Sequence, residues 1–415
     1  MRRRLLRALG LALVVAASGC RTARPDPSPS PPPGPTLVEA ARVLPTPDLT
    51  ALPAVVLTAA VVSEPVAYVG LTADECRRSA CVQASLARGL LAAADGNAAP
   101  NRFSPKQLAV DGLRRTVAGE LAREARNRAA GGALDLYYRL QEAELLTDVL
   151  AKSLAEIDAL VRAADTLAAG GFSEAPEAFT LRKTQLDLRA EQVNLRAGIR
   201  RLNTELKPLL GLADAGPNLL PGDGFRVTPD QLDAPAAVAH ALAGRGDLRA
   251  VRALQAGLDR QTVDAVRQAI AGLLPPLGAI TAAANTLAPG VQKLLPFLAK
   301  TDVDKVRRQL QLFQEDRERE VAKDVVEAVD DYHTQRDRLA VSRRRVEVES
   351  RRVAELVVRR DNGVPVETEL RKARLGVLAA EREQLKDAFA WKRADVTVRK
   401  LLGVLCADGA DCGCP

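Results

Sequence analysis

The chain has 415 residues, of which 3% are aromatic, and it contains one Trp and one Met. Ala, Leu, Arg and Val dominate, which is typical of long helices and excludes a β-rich protein or a compact catalytic core. The formal net charge is +7. Because residues 1–19 hold four Arg and no acid, the rest of the chain carries only +3, and its charge is no argument for nucleic-acid binding.

The N-terminus has the pattern of a secretory signal, with a positive segment at residues 1–4, an apolar stretch from Leu5 to Ser18 and small residues before Cys20. A Cys at this point resembles the lipobox of bacterial lipoproteins. That resemblance implies that residues 1–19 are cleaved and that Cys20 carries the lipid, palmitate included, with the chain anchored in the outer membrane and facing the periplasm. An uncleaved anchor helix is the alternative, but about 14 apolar residues interrupted by Arg7 fall short of the ~20 that span a bilayer.

A tether follows the lipidation site. Residues 20–43 include the Pro-rich run 23–36, which is predicted to be extended and polyproline-like and to reach some 40 Å at about 3.1 Å per residue. The apolar, Pro-punctuated residues 44–69 are compatible with a strand or with an extended arm.

The remaining sequence contains an internal repeat, with one copy at residues 44–236 and the other at 237–405. The interval from a glycine to a Leu-Leu-Gly triplet is 40 residues in both copies, and a Tyr precedes each glycine. These landmarks are Tyr138, Gly171 and Leu209-Leu210-Gly211 in the first copy, and Tyr332, Gly363 and Leu401-Leu402-Gly403 in the second. Each copy is predicted to be a long helix, a turn at the glycine and a returning helix.

The predicted length of the first long helix in the second repeat indicates the fold class. Residues 301–362 contain neither Gly nor Pro, so as a helix they would reach roughly 90 Å at about 1.5 Å per residue. Such a helix stays ordered only when an apolar stripe packs on neighbours along its length. The sequence therefore predicts a mainly α fold of two tandem long antiparallel helical hairpins, with little or no β structure.

Five cysteines besides Cys20 are possible disulfide partners in an oxidising compartment. They are Cys76, Cys81, Cys406, Cys412 and Cys414, the last three in the tail 406–415. Cys76 and Cys81 point to different sides of one helix, so bridges from them to the C-terminal cysteines are expected if the two ends of the chain meet. The odd number leaves at least one thiol unexplained.

No catalytic motif stands out. His240 and His333 are the only histidines and lie on different predicted helices, so neither a metal nor another cofactor is expected, and the chain is predicted not to be an enzyme. The run Arg343-Arg344-Arg345 with Glu347 and Glu349 is interpreted as a solvated helix face with opposite-charge pairs.

The doubled hairpin resembles the outer-membrane efflux (TolC) family. Arg245, Asp247 and Leu248 match its helix-start motif, with Asp247 as an expected N-cap and Gly246 where the family commonly has Pro. Residues 359–364 resemble its tip, and the two Leu-Leu-Gly triplets resemble its helix endings. The similarity runs from about Leu71 to Val404.

The resemblance implies a homotrimeric conduit that works with a periplasmic adapter and an inner-membrane pump. Its hairpins would form a helical tube, and its tips would dock the adapter. At those tips, Gly171 and Phe172 in the first copy match Gly363 and Val364 in the second. A glycine there permits a tight turn, and the residue beside it supplies apolar contact.

The chain departs from the family where membrane strands would lie. The first copy is some 32 residues shorter than the second between its helix start near Ser85 and Tyr138, so the β-barrel segments are predicted to be reduced or absent. The sequence is therefore compatible with two functions. One is a TolC-like efflux lipoprotein, and the other is a lipid-anchored periplasmic coiled-coil scaffold that binds partners without transport.

Overall fold

The computed structural model describes residues 68–96, 105–170, 176–223, 232–259, 262–263, 266 and 303–406, all of which lie in one compact unit, Pro65–Pro415. The described part is mainly helical with little β structure, which confirms the predicted fold class. Cys20, the proline-rich tether and residues 44–67 lie outside the described residues.

Among the described residues, the first half of the chain contains two strands and four helices. In chain order they are β1 (Tyr68–Leu71), α1 (Ala73–Gln83), α2 (Ser85–Gly96), α3 (Pro105–Ala169), α4 (Pro176–Leu209) and β2 (Asn218–Pro221). With 65 residues, α3 is about 100 Å long, and α4, with 34 residues, is about 50 Å long. Both begin at a proline, whose missing N–H costs nothing in the first turn of a helix.

In the described residues of the second half, the four-helix pattern is repeated. Its helices are α5 (Ala234–Gly244), α6 (Gly246–Ala256), α7 (Val303–Asp361) and α8 (Glu367–Leu402). The 59 residues of α7 and the 36 residues of α8 form a second hairpin with arms of about 90 and 55 Å. The rod predicted from the absence of Gly and Pro in residues 301–362 is therefore α7.

The four long helices pack side by side in the order α4, α3, α8, α7. Two ion pairs join the hairpins where α3 meets α8, Glu142 with Arg393 and Glu156 with Arg371. A third, Glu191 with Arg382, links α4 to α8 at 2.7 Å, and each of its residues lies 15 positions from the start of its helix. The tip ends of α4 and α8, at Pro176 and Glu367, are therefore level with each other.

The short helices cover the opposite end of the hairpins, and in each half the first of them packs around a buried tyrosine. In the first half, α1 packs on α3 and α4 around Tyr137. In the second half, α5 packs on α7 and α8 around Tyr332 and Trp391. The buried counterpart of Tyr332 is therefore Tyr137 and not Tyr138, so the expected tyrosine match was wrong by one position. Tyr138 instead lies beside Phe389.

A two-stranded parallel sheet ties the start of the described chain to the segment after α4. Tyr68 pairs with Asn218 and Leu71 with Pro221. The Tyr137 hydroxyl donates to the Leu71 carbonyl at 3.1 Å, and the Asn203 side-chain oxygen accepts from Leu219 N at 2.6 Å. The last two residues of the segment 44–69 thus belong to a strand.

Both Leu-Leu-Gly triplets end a helix with a glycine in the left-handed region, at φ +73° for Gly211 and +77° for Gly403. Beyond Gly403, the Leu405 N–H donates to Asn127 of α3 at 3.0 Å. This contact brings the end of the described chain to α1, where Cys406 forms a disulfide with Cys81 across a Cα–Cα distance of 6.3 Å. Cys76, considered above as a bridge partner, is instead a buried free thiol.

The contact between α3 and α6 depends on the absence of a side chain at Gly246. A Cβ at this position would clash with the backbone oxygen of Glu120 and lie 3.1 Å from the backbone nitrogen of Glu124. Neither backbone atom can move without distorting α3. Because both lie on α3, Gly246 sets how closely the second repeat approaches the first.

Gly246→Ala is expected to lower the free energy of unfolding by about 2–4 kcal/mol. The added Cβ would clash with the backbone of α3, so α6 and α3 would have to move apart. Gly89→Ala is the matched control, because Gly89 lies within α2 with nothing within 4 Å of an added Cβ. That change should be neutral or stabilising by up to about 1 kcal/mol. Chemical denaturation followed by circular dichroism measures both, and equal effects of the two variants would contradict the close approach.

Candidate assembly and partner-docking surfaces

The turn between α7 and α8 is built on Gly363. Gly363 has φ +81°, and its N–H donates to the Arg360 carbonyl at 2.9 Å, while the Val364 N–H donates to the Arg359 carbonyl at 3.1 Å. These bonds satisfy carbonyls at the end of α7 that would otherwise lack partners. Nothing lies within 4 Å of the position of a Gly363 Cβ.

A small apolar cluster holds this turn closed. It contains Leu356 at the end of α7 together with Val366, Leu370 and Ala373 at the start of α8. Val364 is not in the cluster and is 40% exposed at the tip. The second tip therefore presents Val364 as an exposed apolar side chain on a fixed turn. Gly171 and Phe172, the tip residues predicted for the first hairpin, lie outside the described residues.

The helix α4 forms one outer edge of the layer and exposes an apolar stripe. Phe179, Leu186 and Val193 recur every seven positions and are 63–75% exposed. At about 100° per residue they fall within a sector of about 40°. Its residues Ala178 and Ile199 are buried, Ile199 in the cluster that also contains α3 residues. The stripe, which we call the α4 ladder, is turned away from that contact.

The helix α7 forms the other outer edge and exposes its own apolar stripe. Val341, Val348 and Val358 are 60–68% exposed and, with Leu312 and Val326, fall within a sector of about 100°. We call Val341, Val348 and Val358 the α7 ladder. Large exposed apolar residues are unremarkable one by one, but aligned on one helix face they mark an interaction surface.

The two ladders lie at matching distances from the tip ends of α4 and α7. Phe179 and Val358 are each three positions from the tip end of their helix. Leu186 and Val348 are 10 and 13 positions away, and Val193 and Val341 are 17 and 20. Each pair therefore differs in height by no more than about 5 Å.

A buried ionic network lies at the far end of the hairpins, where α6 meets α3 and α7. Asp247, 1% exposed, accepts two hydrogen bonds from Arg245 at 3.0 and 2.7 Å and is 3.0 Å from Arg317 of α7. On α3, Glu124 pairs with Arg128 at 2.8 Å and lies 3.7 Å from Arg245. The expectation that Asp247 caps α6 was wrong: the N-cap is Arg245, and Asp247 is a buried ion-pair partner.

The two carboxyl groups of this network respond oppositely to their surroundings. Burial alone would raise the pKa of Asp247, but the hydrogen bonds and charges of Arg245 and Arg317 outweigh it and lower that pKa to about 2. Burial, and then the charge of Asp247, raise the pKa of Glu124 above its ordinary value against the opposing charges of Arg128 and Arg245. In addition, one Glu124 carboxylate oxygen is buried without a hydrogen-bond partner.

Glu124→Gln is therefore expected to stabilise the protein near neutral pH. Because the pKa of Glu124 is raised on folding, its protonated form contributes stability below the unfolded value of 4.5, and this contribution is lost as pH rises through the folded pKa. Glutamine stays neutral throughout, so the melting temperature should rise by roughly 1–3 °C at pH 7 and the difference from wild type should shrink toward pH 4.

The matched control is Asp247→Asn, which removes the carboxylate whose pKa is lowered. It should destabilise the fold near neutral pH by about 3–5 kcal/mol, because Arg245 and Arg317 would be left buried without a counter-charge. Calorimetry between pH 4 and 8 measures both variants. A Glu124→Gln protein that is less stable than wild type at pH 7 would contradict this account.

Of three comparisons with known proteins, the search of solved structures finds similar folds. A scan against protein-family models finds no match, and neither does a search of curated proteins. Among solved structures, the Campylobacter jejuni CmeC outer membrane channel is 12% identical with a TM-score of 0.53, covering 75% of this chain and 70% of that chain. CusC, described in terms of transmembrane channel formation, is 12% identical with a TM-score of 0.50, covering 72% and 74%.

A membrane protein from Pseudomonas aeruginosa is 13% identical with a TM-score of 0.51, covering 80% of this chain and 89% of that one. These likenesses establish the fold, which is the helical fold of outer-membrane channel proteins, as the TolC-family resemblance predicts. In the described part of the chain, no helix combines the length and the apolarity needed to cross a membrane.

Sequence reasoning missed the two ladders. The seven-residue spacing of Phe179, Leu186 and Val193 is visible in the sequence, but it is equally typical of a buried seam. The expected ion pairs of Arg343-Arg344-Arg345 are also absent. Within the described residues these side chains are exposed and form no ion pair with Glu347 or Glu349.

Proposed function

We propose that this chain is one subunit of a homotrimeric, TolC-like duct in an outer-membrane export system. In this proposal Cys20 carries a lipid that anchors the protein to the outer membrane, and the hairpins extend into the periplasm. A periplasmic adapter and an inner-membrane pump supply the substrate and the energy, and the duct itself performs no catalysis.

The observation that carries the proposal is the pair of exposed ladders on opposite edges of one helical layer. The α4 edge and the α7 edge are different surfaces, so contact between them is heterologous, and repeated contacts generate a ring when the rotation closes. A ring of curved helical layers encloses a tube. At each contact between two copies, which we call the seam, burying both ladders would remove six large apolar side chains from water.

Charge favours this pairing in the half of the seam that is remote from the tips. Arg200 on α4 and Asp337 on α7 each lie 24 positions from the tip end of their helix, and both are exposed. Val193 and Val341 lie next to this level. An α4 edge facing the α7 edge of another copy would therefore bring opposite charges together beside an apolar contact.

The tips are proposed to dock the adapter. Gly363 sets a tight turn, and Val364 is exposed on it. Gly171 and Phe172 are proposed for the same role in the first hairpin on the basis of their matching sequence positions. Together the tips of three copies would surround the periplasmic mouth of the tube.

A crosslinking experiment tests the ring. In the lipidated full chain with Cys412 and Cys414 changed to Ser, the double variant Val193→Cys, Val341→Cys is treated with a short bismaleimide. The expected products on a denaturing gel are covalent dimers and trimers with no larger species, because each seam joins the new thiol on α4 of one copy to the new thiol on α7 of the next.

Two controls define the geometry. Val193→Cys with Leu312→Cys should not crosslink, since Leu312 lies 49 positions from the tip end of α7 and Val193 only 17 from that of α4, a height difference of about 50 Å. Val193→Cys alone should also stay monomeric on the gel. Crosslinking of that single variant would mean that α4 pairs with α4 in a two-fold dimer, which contradicts the ring.

A partner-binding scaffold without transport is the second candidate function. It is favoured by the connection between α2 and α3, which is limited to positions 97–104 because α2 ends at Gly96 and α3 begins at Pro105. That length is less than one membrane strand of about 9–11 residues. Conductance in planar bilayers by the purified trimer would support the duct, and a water-soluble helical protein after lipid removal would support the scaffold.

A further inference from the structure

The disulfide between Cys81 and Cys406, which we call the clasp, is open to attack from one side. Cys81 is 1% exposed, whereas Cys406 is partly exposed at the end of the described chain. Exchange begins when a thiolate attacks one of the two sulfur atoms of a disulfide. Attack on the clasp is therefore directed at Cys406, and Cys81 is the leaving group.

Arg77 places a positive charge beside both halves of the clasp. It lies one turn before Cys81 on α1, and its guanidinium donates to the carbonyl of Leu405, the neighbour of Cys406, at 2.7 Å. A cation beside a cysteine favours the thiolate form. Asp74 also pairs with Arg77 at 2.7 Å and offsets part of its charge. The remaining positive charge favours departure of Cys81 as a thiolate.

Other contacts hold the two ends of the clasp in place. The Asn127 side chain of α3 accepts from the Leu405 N–H at 3.0 Å and donates to the Lys400 carbonyl at 2.6 Å. On the other side of the clasp, α1 is packed on α3 and α4 around Tyr137. Because none of these contacts requires the disulfide, the two cysteines stay close together when it opens. The clasp can therefore close again.

The C-terminal tail supplies two thiols close to the clasp along the chain. Cys412 and Cys414 follow Cys406 by six and eight positions and are separated by one glycine. They lie outside the described residues, so the argument uses only this spacing. A short tether gives a local thiol concentration in roughly the millimolar range. Cys76 is not an alternative, because it is fully buried in a different apolar cluster from Cys81.

We propose that Cys412 and Cys414 form a redox couple that opens and closes the clasp. In the first step the Cys412 thiolate attacks the sulfur of Cys406, a new disulfide forms between them, and Cys81 leaves as a thiolate that takes a proton from water. In the second step the Cys414 thiolate attacks the sulfur of Cys412, which forms a tail disulfide and releases Cys406. Two electrons have then passed from the tail to the clasp. The reverse steps close the clasp and reduce the tail.

This couple makes a covalent tie between the repeats responsive to the thiols around the protein. The clasp joins the first short helix of the first repeat to the segment that follows the last helix of the second. Thiols that keep the tail reduced allow exchange to open the clasp, and an oxidised tail closes it. The proposal depends on neither the trimer nor the duct, because all four cysteines belong to one chain.

Opening of the clasp by dithiothreitol tests the proposal. Full-length protein in detergent is treated with about 0.1 mM dithiothreitol, so that tethered thiols in the millimolar range exceed the external ones about tenfold. Samples are blocked with N-ethylmaleimide and digested with trypsin, and mass spectrometry follows the linked peptides 79–88 and 401–415. These should disappear at least about tenfold faster in the wild type than in the double variant Cys412→Ser, Cys414→Ser.

Two further variants separate exchange from a general effect of the tail. Ala407→Ser with Ala410→Ser changes two tail residues without removing a thiol, and its clasp should open within about twofold of the wild-type rate. Cys414→Ser keeps the attacking thiol and lacks the second one. It should therefore accumulate a disulfide between Cys406 and Cys412 inside peptide 401–415 while Cys81 becomes reactive toward N-ethylmaleimide.

Equal opening rates of the wild type and the Cys412→Ser, Cys414→Ser variant would overturn the proposal. So would a clasp that dithiothreitol leaves closed in both proteins, since it would be an inert structural disulfide. Absence of the Cys406–Cys412 disulfide in the Cys414→Ser variant would contradict the first step of the exchange.

Discussion

The constraint on which the whole structure depends is the length of α3 and α7. A helix of 59 or 65 residues has far more surface than its own turns can stabilise, so it must bury a stripe along its length. Here α4, α3, α8 and α7 meet this need by lying side by side. In a single layer, each inner helix packs against long helices on two sides, whereas each outer helix has such a neighbour on one side only. The free sides of α4 and α7 carry the exposed ladders.

The layer is fixed in register at both ends. Remote from the tips, the disulfide between Cys81 and Cys406 closes one contact, and Asp247 joins α6 to α7 through its pairing with Arg317. At the tip, the left-handed Gly363 and the apolar cluster beneath it hold α7 to α8. Because the tip ends of α4 and α8 are level, the heights of the ladders follow from sequence position. Residues on α4 and α7 can therefore be matched in height.

Much of the fold was predictable because it follows from local rules. The absence of Gly and Pro over residues 301–362 defines α7, and the Leu-Leu-Gly triplets end in left-handed glycines. What could not be predicted depends on distant packing. Adjacent tyrosines cannot be told apart until helix register is known, so the sequence does not distinguish Tyr137 from Tyr138 as the counterpart of Tyr332. Asp247 suits a cap as well as an ion pair, and Arg317, seventy positions away, decides between them. The exposure of Val193 and Val348 likewise depends on which side of the layer each helix occupies.

The central claim is that unlike edges of the layer meet between copies. Single-particle electron microscopy of the lipidated full-length protein in detergent tests it most directly. We expect three copies around one axis, with tips at the same end and α4 of each copy beside α7 of the next. A two-fold dimer that pairs like edges, or a monomer with both ladders in solvent, would contradict it.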